Sequence, residues 1–235
     1  MILSNECWLK GQCPKALNPH INAPCLQEDI FCVKLFKLDY LYNAAKVSLK
    51  QREHINLRLD ANRVDEVPFQ HLAEIQNGIE NFVESGKNLY LYSSTTGNGK
   101  TAWALRLLQS YFNKIWFKTD LCCRGLFINT SRLLLAIKDS YSDFNDYASY
   151  IKENVTGADL VVWDEIGVRD LSVHDHEQLL NFINTRIDCG RSNIYTSNLL
   201  PTDLRERVGE RLFSRIINYS DCVELRGCDK RSIFK

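Results

Sequence analysis

The chain carries no excess of charge of either sign. Lysine plus arginine number 29 and aspartate plus glutamate 29 among 235 residues. No overall basic field therefore draws it to nucleic acid, and any such contact has to be a local patch. It has no apolar run near the ~18 residues that a membrane span needs, so no membrane partner is expected. The stretch Met1-Ile2-Leu3-Ser4-Asn5-Glu6-Cys7 lacks both a basic region and a long apolar core, so no signal peptide is expected. Nine cysteines without an export signal fit a reducing, cytoplasmic setting, where free thiols or metal ligands are expected rather than disulfides. What remains, 45% hydrophobic and 25% charged residues, is the composition of a globular protein with one sizeable domain and a small appendage.

One stretch organises the rest. Leu89-Tyr90-Leu91-Tyr92 is an apolar run that stops at Ser93-Ser94-Thr95-Thr96-Gly97-Asn98-Gly99-Lys100-Thr101, and a helical pattern begins at once. This is the strand, loop and helix order of a phosphate-binding P-loop. Gly97 and Gly99 let the backbone reach positive φ and turn N–H groups inward, through Asn98 between them, as an anion-binding nest. The N-terminus of the following helix adds partial positive charge. Lys100 is placed to reach the β- and γ-phosphates of ATP, and the hydroxyl of Thr101 to hold Mg²⁺. The usual pattern opens with a glycine that this chain lacks. Ser94 stands there, which predicts a less tight entry to the loop.

A second anchor is Asp159-Leu160-Val161-Val162-Trp163-Asp164-Glu165. An apolar run without alternation suits a strand buried on both faces of a parallel sheet. Its two terminal carboxylates would be costly if buried unpaired; at a strand's carboxyl end they face the ligand crevice. In this Walker B arrangement Asp164 holds Mg²⁺ through water, and Glu165 polarises the attacking water. Further strands are expected at 125–129, 193–198 and 222–225. Leu72, Ile75, Ile79 and Phe82 form one face of a helix that ends at Gly86. The basic stretch 46–58 reads as a linker, so the chain divides into an N-terminal module with linker, 1–60, and a core, 61–235.

The N-terminal module holds Cys7, Cys13, Cys25 and Cys32, with Pro14, Pro19 and Pro24 between them. Four thiolates satisfy a tetrahedral zinc site, and a metal replaces the core that so short a segment lacks. The spacing is not the common C-x2-C form, and His20 is an alternative ligand. An iron–sulfur cluster and four free cysteines are the competing readings.

Taken together, these motifs resemble the AAA+ ATPase core of bacterial and phage helicase loaders of the DnaC/DnaI type. The resemblance runs from about Ile75 to Arg231. It rests on Asn81-Phe82-Val83-Glu84, Gly97-x-Gly99-Lys100-Thr101, Trp163-Asp164-Glu165-Ile166-Gly167, Thr196-Ser197-Asn198-Leu199, the run from Gly209 to Ile216, and Asp229-x-Arg231. It implies an α/β fold, a central parallel sheet flanked by helices, and ATP hydrolysis with Mg²⁺. By the same resemblance Asn198 is sensor 1, orienting the water, Arg215 is an arginine finger and Arg231 is sensor 2. A finger that acts in trans places nucleotide between self-associated subunits. The family's N-terminal segment binds the replicative DNA helicase and, in the DnaI branch, carries zinc; single-stranded DNA is the other implied partner. A transposition ATPase of the IstB kind, which binds double-stranded DNA, shares the same core. An adaptor that holds nucleotide without turnover is the third reading, against which the intact Asp164-Glu165 pair speaks.

Overall fold

The computed structural model describes residues 33–229 apart from positions 54, 56, 60 and 61. The cysteines Cys7, Cys13, Cys25 and Cys32, together with His20 and Arg231, lie outside the described residues.

Five strands form one parallel sheet: β1 (Asn88–Tyr92), β2 (Gly125–Asn129), β3 (Leu160–Asp164), β4 (Ser192–Ser197) and β5 (Ser220–Glu224). Their spatial order is β2-β3-β4-β1-β5. The central strands are buried on both faces, and in β3, buried along its whole length, the sequence accordingly runs apolar without alternation up to Asp164. Parallel neighbours need crossovers, and helices supply them. They are α5 (Lys100–Ile115) after β1, α6 (Thr130–Asp139) and α7 (Asp146–Asn154) after β2, α8 (Val173–Asp188) after β3, and α9 (Pro201–Ile217) after β4. Each face of the sheet carries its own apolar core. One gathers α5 with Leu89, Leu91, Val162 and Ile194; the other gathers α6 to α9 around Trp163, Tyr195 and Leu179.

Among the described residues, four helices precede the sheet: α1 (Val33–Ala44), α2 (Leu49–Arg52), α3 (Glu66–Asn77) and α4 (Ile79–Glu84). The single helix expected through Leu72 and Phe82 is two, broken at Gly78. The expected division at residue 60 also meets a packed structure. Leu38, Leu41 and Tyr42 of α1 are fully buried in the α5 core. Burial of this kind contributes about 1.5–3 kcal/mol per large apolar side chain. Arg52 is buried, donating to Asp39, Asn43 and the Val47 carbonyl. Gln109 of α5 donates to the carbonyls of Gln51 and Glu53. The described residues between 46 and 58 therefore form a strap laid on the domain rather than a linker beside it.

A buried arginine fixes where β3 and β4 begin. Arg186, fully shielded, donates to the carbonyls of Val155, Ala158 and Ser192 and to Oδ1 of Asn193. Burial pulls its pKa down to about 9, which still leaves the guanidinium charged at neutral pH. No described helix is long and apolar enough to cross a membrane.

Candidate functional site

The loop between β1 and α5 is the cradle its sequence predicts. Gly97 (φ 72°) and Gly99 (φ 111°) both take the left-handed region. Gly99 caps α5, whose first residue is Lys100. Ser94 is not among the residues with positive φ, so this entry needs no glycine. The Ser93 hydroxyl closes the turn instead, accepting the Thr95 N–H at 3.0 Å. Lys100, almost wholly buried, donates to the Thr95 carbonyl at 2.9 Å and to Asn98 Oδ1 at 3.2 Å. Asn98 was expected among the nucleotide-binding residues. Its side chain instead bolts the loop down, donating to Ser93 Oγ and, at 2.8 Å, to the Leu225 carbonyl beyond β5. Only its backbone N–H is left for an anion.

The same end of the sheet brings the second anchor to the first. Because β4 lies between β1 and β3, the carboxyl ends of all three open onto one crevice. Thr101 Oγ1 donates to Asp164 Oδ1 at 2.8 Å. The two side chains thus offer oxygens within reach of one cation, the donor set that Mg²⁺ prefers. Burial pushes the Asp164 carboxyl above the usual carboxylate range. Hydrogen bonds from Thr196 and Thr101 and the charge of Lys100 work against that rise, and neighbouring Glu165 adds to it. Glu165 takes φ 60°, a conformation that costs a side-chain-bearing residue about 1–3 kcal/mol and persists only when its surroundings hold it.

Two residues that sequence reading did not single out supply that hold. Asn129, at the end of β2, donates to Glu165 Oε2 at 2.8 Å. Thr196, near the end of β4, accepts the Glu165 N–H at 3.0 Å and donates to Asp164 Oδ1 at 2.7 Å. The available signal was their position, at the carboxyl ends of the two strands that flank β3.

A cleft of about 650 Å³ opens over the cradle, a size that suits a small-molecule ligand. Gly97, Lys100, Thr101 and Glu165 line one side, and Asn198 lines it from beyond β4. The other wall is the strap, through Ile55, Leu57 and Arg58. Arg215 is not among the lining residues. Its guanidinium lies over the Tyr219 ring, 5.7 Å from the centroid, and donates to the Tyr219 hydroxyl. Among the described residues no cluster of His, Cys, Asp or Glu is arranged to hold a metal by itself, and the five described cysteines are free thiols.

The family model described as "IstB-like ATP binding protein" matches residues 34–229. Among solved structures, the chain is similar to a DnaC helicase loader, with 22% identity over 68% of this chain and 89% of that one, and a TM-score of 0.56. It is similar to a putative primosome component from Streptococcus pyogenes serotype M3, with 20% identity over 82% and 98% of the two chains and a TM-score of 0.58. It is likewise similar to DnaI, with 19% identity over 74% and 88% and a TM-score of 0.56. At such identities the likeness is one of fold. No curated protein matches.

Proposed function

The chain belongs to the IstB-like ATP binding protein family, and we propose that it is a Mg²⁺-dependent ATPase of the cytoplasm that loads a ring-shaped replicative DNA helicase onto single-stranded DNA. One observation carries the enzymatic half. The Thr101–Asp164 pair and the Glu165 carboxylate meet the phosphate cradle at the carboxyl ends of β3 and β1, the two strands that flank β4. In this reading Lys100 exchanges its two acceptors in the loop for the β- and γ-phosphates, and Thr101 with Asp164 holds Mg²⁺. When bound, Mg²⁺ neutralises charge on the phosphate oxygens. Glu165 takes a proton from the attacking water, and Asn198 orients that water. Arg215, which does not line its own cleft, serves the nucleotide of a neighbouring subunit. Arg231 completes the nucleotide site as sensor 2.

The loader half is supported by the likeness to a DnaC helicase loader and to DnaI. The cysteine-rich segment ahead of the core also supports it, as a separate helicase-binding module that holds zinc through Cys7, Cys13, Cys25 and Cys32. We place the division from the ATPase near residue 33, because α1 packs on the core. The test is a stable complex with the replicative helicase, with and without ATP. Absence of any complex in both conditions, from folded protein, removes the loader reading. A second reading, a transposition ATPase that binds double-stranded DNA, is favoured by the description of the matching family. It predicts ATP-dependent binding to duplex DNA and no helicase complex. A nucleotide-binding adaptor without turnover would release no phosphate.

A further inference from the structure

We infer that Thr196 is the positioning residue of this site, the group that sets both acidic residues of β3 against the phosphate cradle. The inference rests on the ATPase reading given above. Regular pairing of β3 with β4 ends at Trp163 and Tyr195. Past that point the backbone of β3 turns into the left-handed region at Glu165, and the ladder no longer supplies partners. Thr196 supplies them at three points. Its hydroxyl donates to Asp164 Oδ1, the same hydroxyl accepts the Glu165 N–H, and its carbonyl accepts the Ile166 N–H at 2.9 Å. A threonine hydroxyl has one hydrogen to give, and here it is given to Asp164. Next along β4, Ser197 Oγ donates to the Ile166 carbonyl at 2.8 Å. The turn that carries Glu165 is thereby bolted to β4 alone on that side.

The geometry has a chemical consequence. Asp164 Oδ1 receives two hydroxyl donors, Thr101 from the cradle and Thr196 from β4. Thr101 is the one placed to turn toward a cation. Thr196 is 1% exposed and gives its one hydrogen to Asp164, so it keeps its hold while Thr101 lets go. The carboxylate is then oriented for a metal by a group that never touches the metal, the arrangement by which an outer ligand tunes an inner one. The same hydroxyl holds the N–H of Glu165, so the carboxylate that binds Mg²⁺ and the one that polarises water are fixed relative to each other through one oxygen.

Thr196→Val is nearly isosteric and suits a strand, yet has no hydroxyl; Thr196→Ser restores the hydroxyl without the methyl. Both are compared with wild type for melting temperature, binding of a fluorescent ATP analogue, the Mg²⁺ concentration giving half-maximal tightening of that binding, and phosphate release. The valine variant is expected to melt as a folded protein and to bind nucleotide without Mg²⁺ within about threefold of wild type. It is expected to need severalfold more Mg²⁺, and to lose about tenfold to a hundredfold in kcat with little change in KM. Serine should recover most of both losses. A folded valine variant with wild-type Mg²⁺ dependence and kcat overturns the inference, as does a serine variant no better than valine, which would show that the hydroxyl does not carry the role by itself. If wild-type protein binds nucleotide and releases no phosphate, the ATPase reading fails. The Mg²⁺ shift, which needs no turnover, then decides the role of Thr196 by itself.

Discussion

Replacing Asn129 by aspartate takes one donor away from Glu165 and leaves the rest of the side chain at work. Asn129 does two things. Its Oδ1 caps α6 by accepting the Arg132 N–H at 3.0 Å, and its Nδ2 donates to Glu165 Oε2 at 2.8 Å. Aspartate caps a helix as well as asparagine does, and its charge suits a helix N-terminus. It has no N–H to offer Glu165. A hydrogen bond to a charged group contributes about 1.5–3 kcal/mol when shielded, and at this half-buried contact the lower figure applies. If Glu165 has to leave Asn129 before it takes a proton from water, that contact is part of the barrier. Removing about 1.5 kcal/mol from the barrier raises kcat about tenfold. Expected for Asn129→Asp are therefore a rate up to about tenfold higher at saturating ATP, an unchanged KM and a lower melting temperature, since the folded state loses that contact and gains the repulsion of two facing carboxylates. Asn129→Ala serves as the control: it loses donor and cap together without adding a charge, and should show a gain in rate with a further loss of about 1 kcal/mol from the missing cap. Steady-state phosphate release and a thermal melt read both. A stable Asn129→Asp protein whose kcat is at or below wild type refutes the reasoning, because the contact with Asn129 would then be the working position of Glu165.

Other consequences are open to simpler tests. Lys100→Ala should abolish ATP binding in a folded protein, and unchanged ATPase activity would rule out this site. Asp164→Asn should lose the Mg²⁺-dependent reaction yet gain stability at neutral pH. Burial lifts the Asp164 carboxyl above its ordinary value of 3.8, so the folded state binds that proton more tightly than the unfolded state does. The ionised carboxylate thus opposes folding, and the advantage of asparagine should grow as pH rises from 3.8 through the folded value and stay level above it; equal melting of the two proteins at every pH would contradict this. Mixing Arg215→Ala with Lys100→Ala subunits should restore part of the activity that each has lost, since each supplies what the other lacks at a shared interface. No restoration, in protein that self-associates on ATP, would show that Arg215 does not act in trans. Metal analysis should find about one zinc per chain, released by Cys25→Ser with Cys32→Ser; metal-free protein with a folded N-terminal segment would remove that module from the account.

How much of this was legible beforehand depends on how each feature is encoded. The cradle and the acidic strand end were legible because phosphate and metal chemistry demand particular residue types at fixed spacing, Gly97 to Thr101 and Asp164-Glu165. The core of β3 was legible because its buried residues from Leu160 to Trp163 form an unbroken apolar run. The strap was not. Its burial is carried by Val47, by an arginine, and by partial contacts of Ile55 and Leu57, so its composition reads as solvated chain. Arg52 is buried only because Asp39, Asn43 and the Val47 carbonyl converge on it, a tertiary fact with no local signature. Asn129 and Thr196 were missed for a related reason. A lone polar residue at a strand end carries no meaning until the order β2-β3-β4 sets its strand beside the one that bears Glu165. Ser94 misled in the other direction, since a serine side chain at position 93 does the work of the missing glycine.

The bolt from Asn98 to the Leu225 carbonyl has a partner. Asp65, 2% exposed, accepts the backbone N–H groups of Arg226 and Gly227, and the carboxylate of Asp229 lies so close to Gly97 that a Cβ there would come within 1.9 Å of it. Segment 225–229 and the phosphate cradle are thus parts of one packed unit. Thermodynamic reciprocity then applies: by whatever factor a docked segment tightens ATP, ATP tightens the docking by the same factor. A partner that grips this segment is in effect a ligand of the nucleotide site without touching it. Whether ATP recruits that partner or releases it is decided by which of the two states, docked or lifted, the partner prefers to hold.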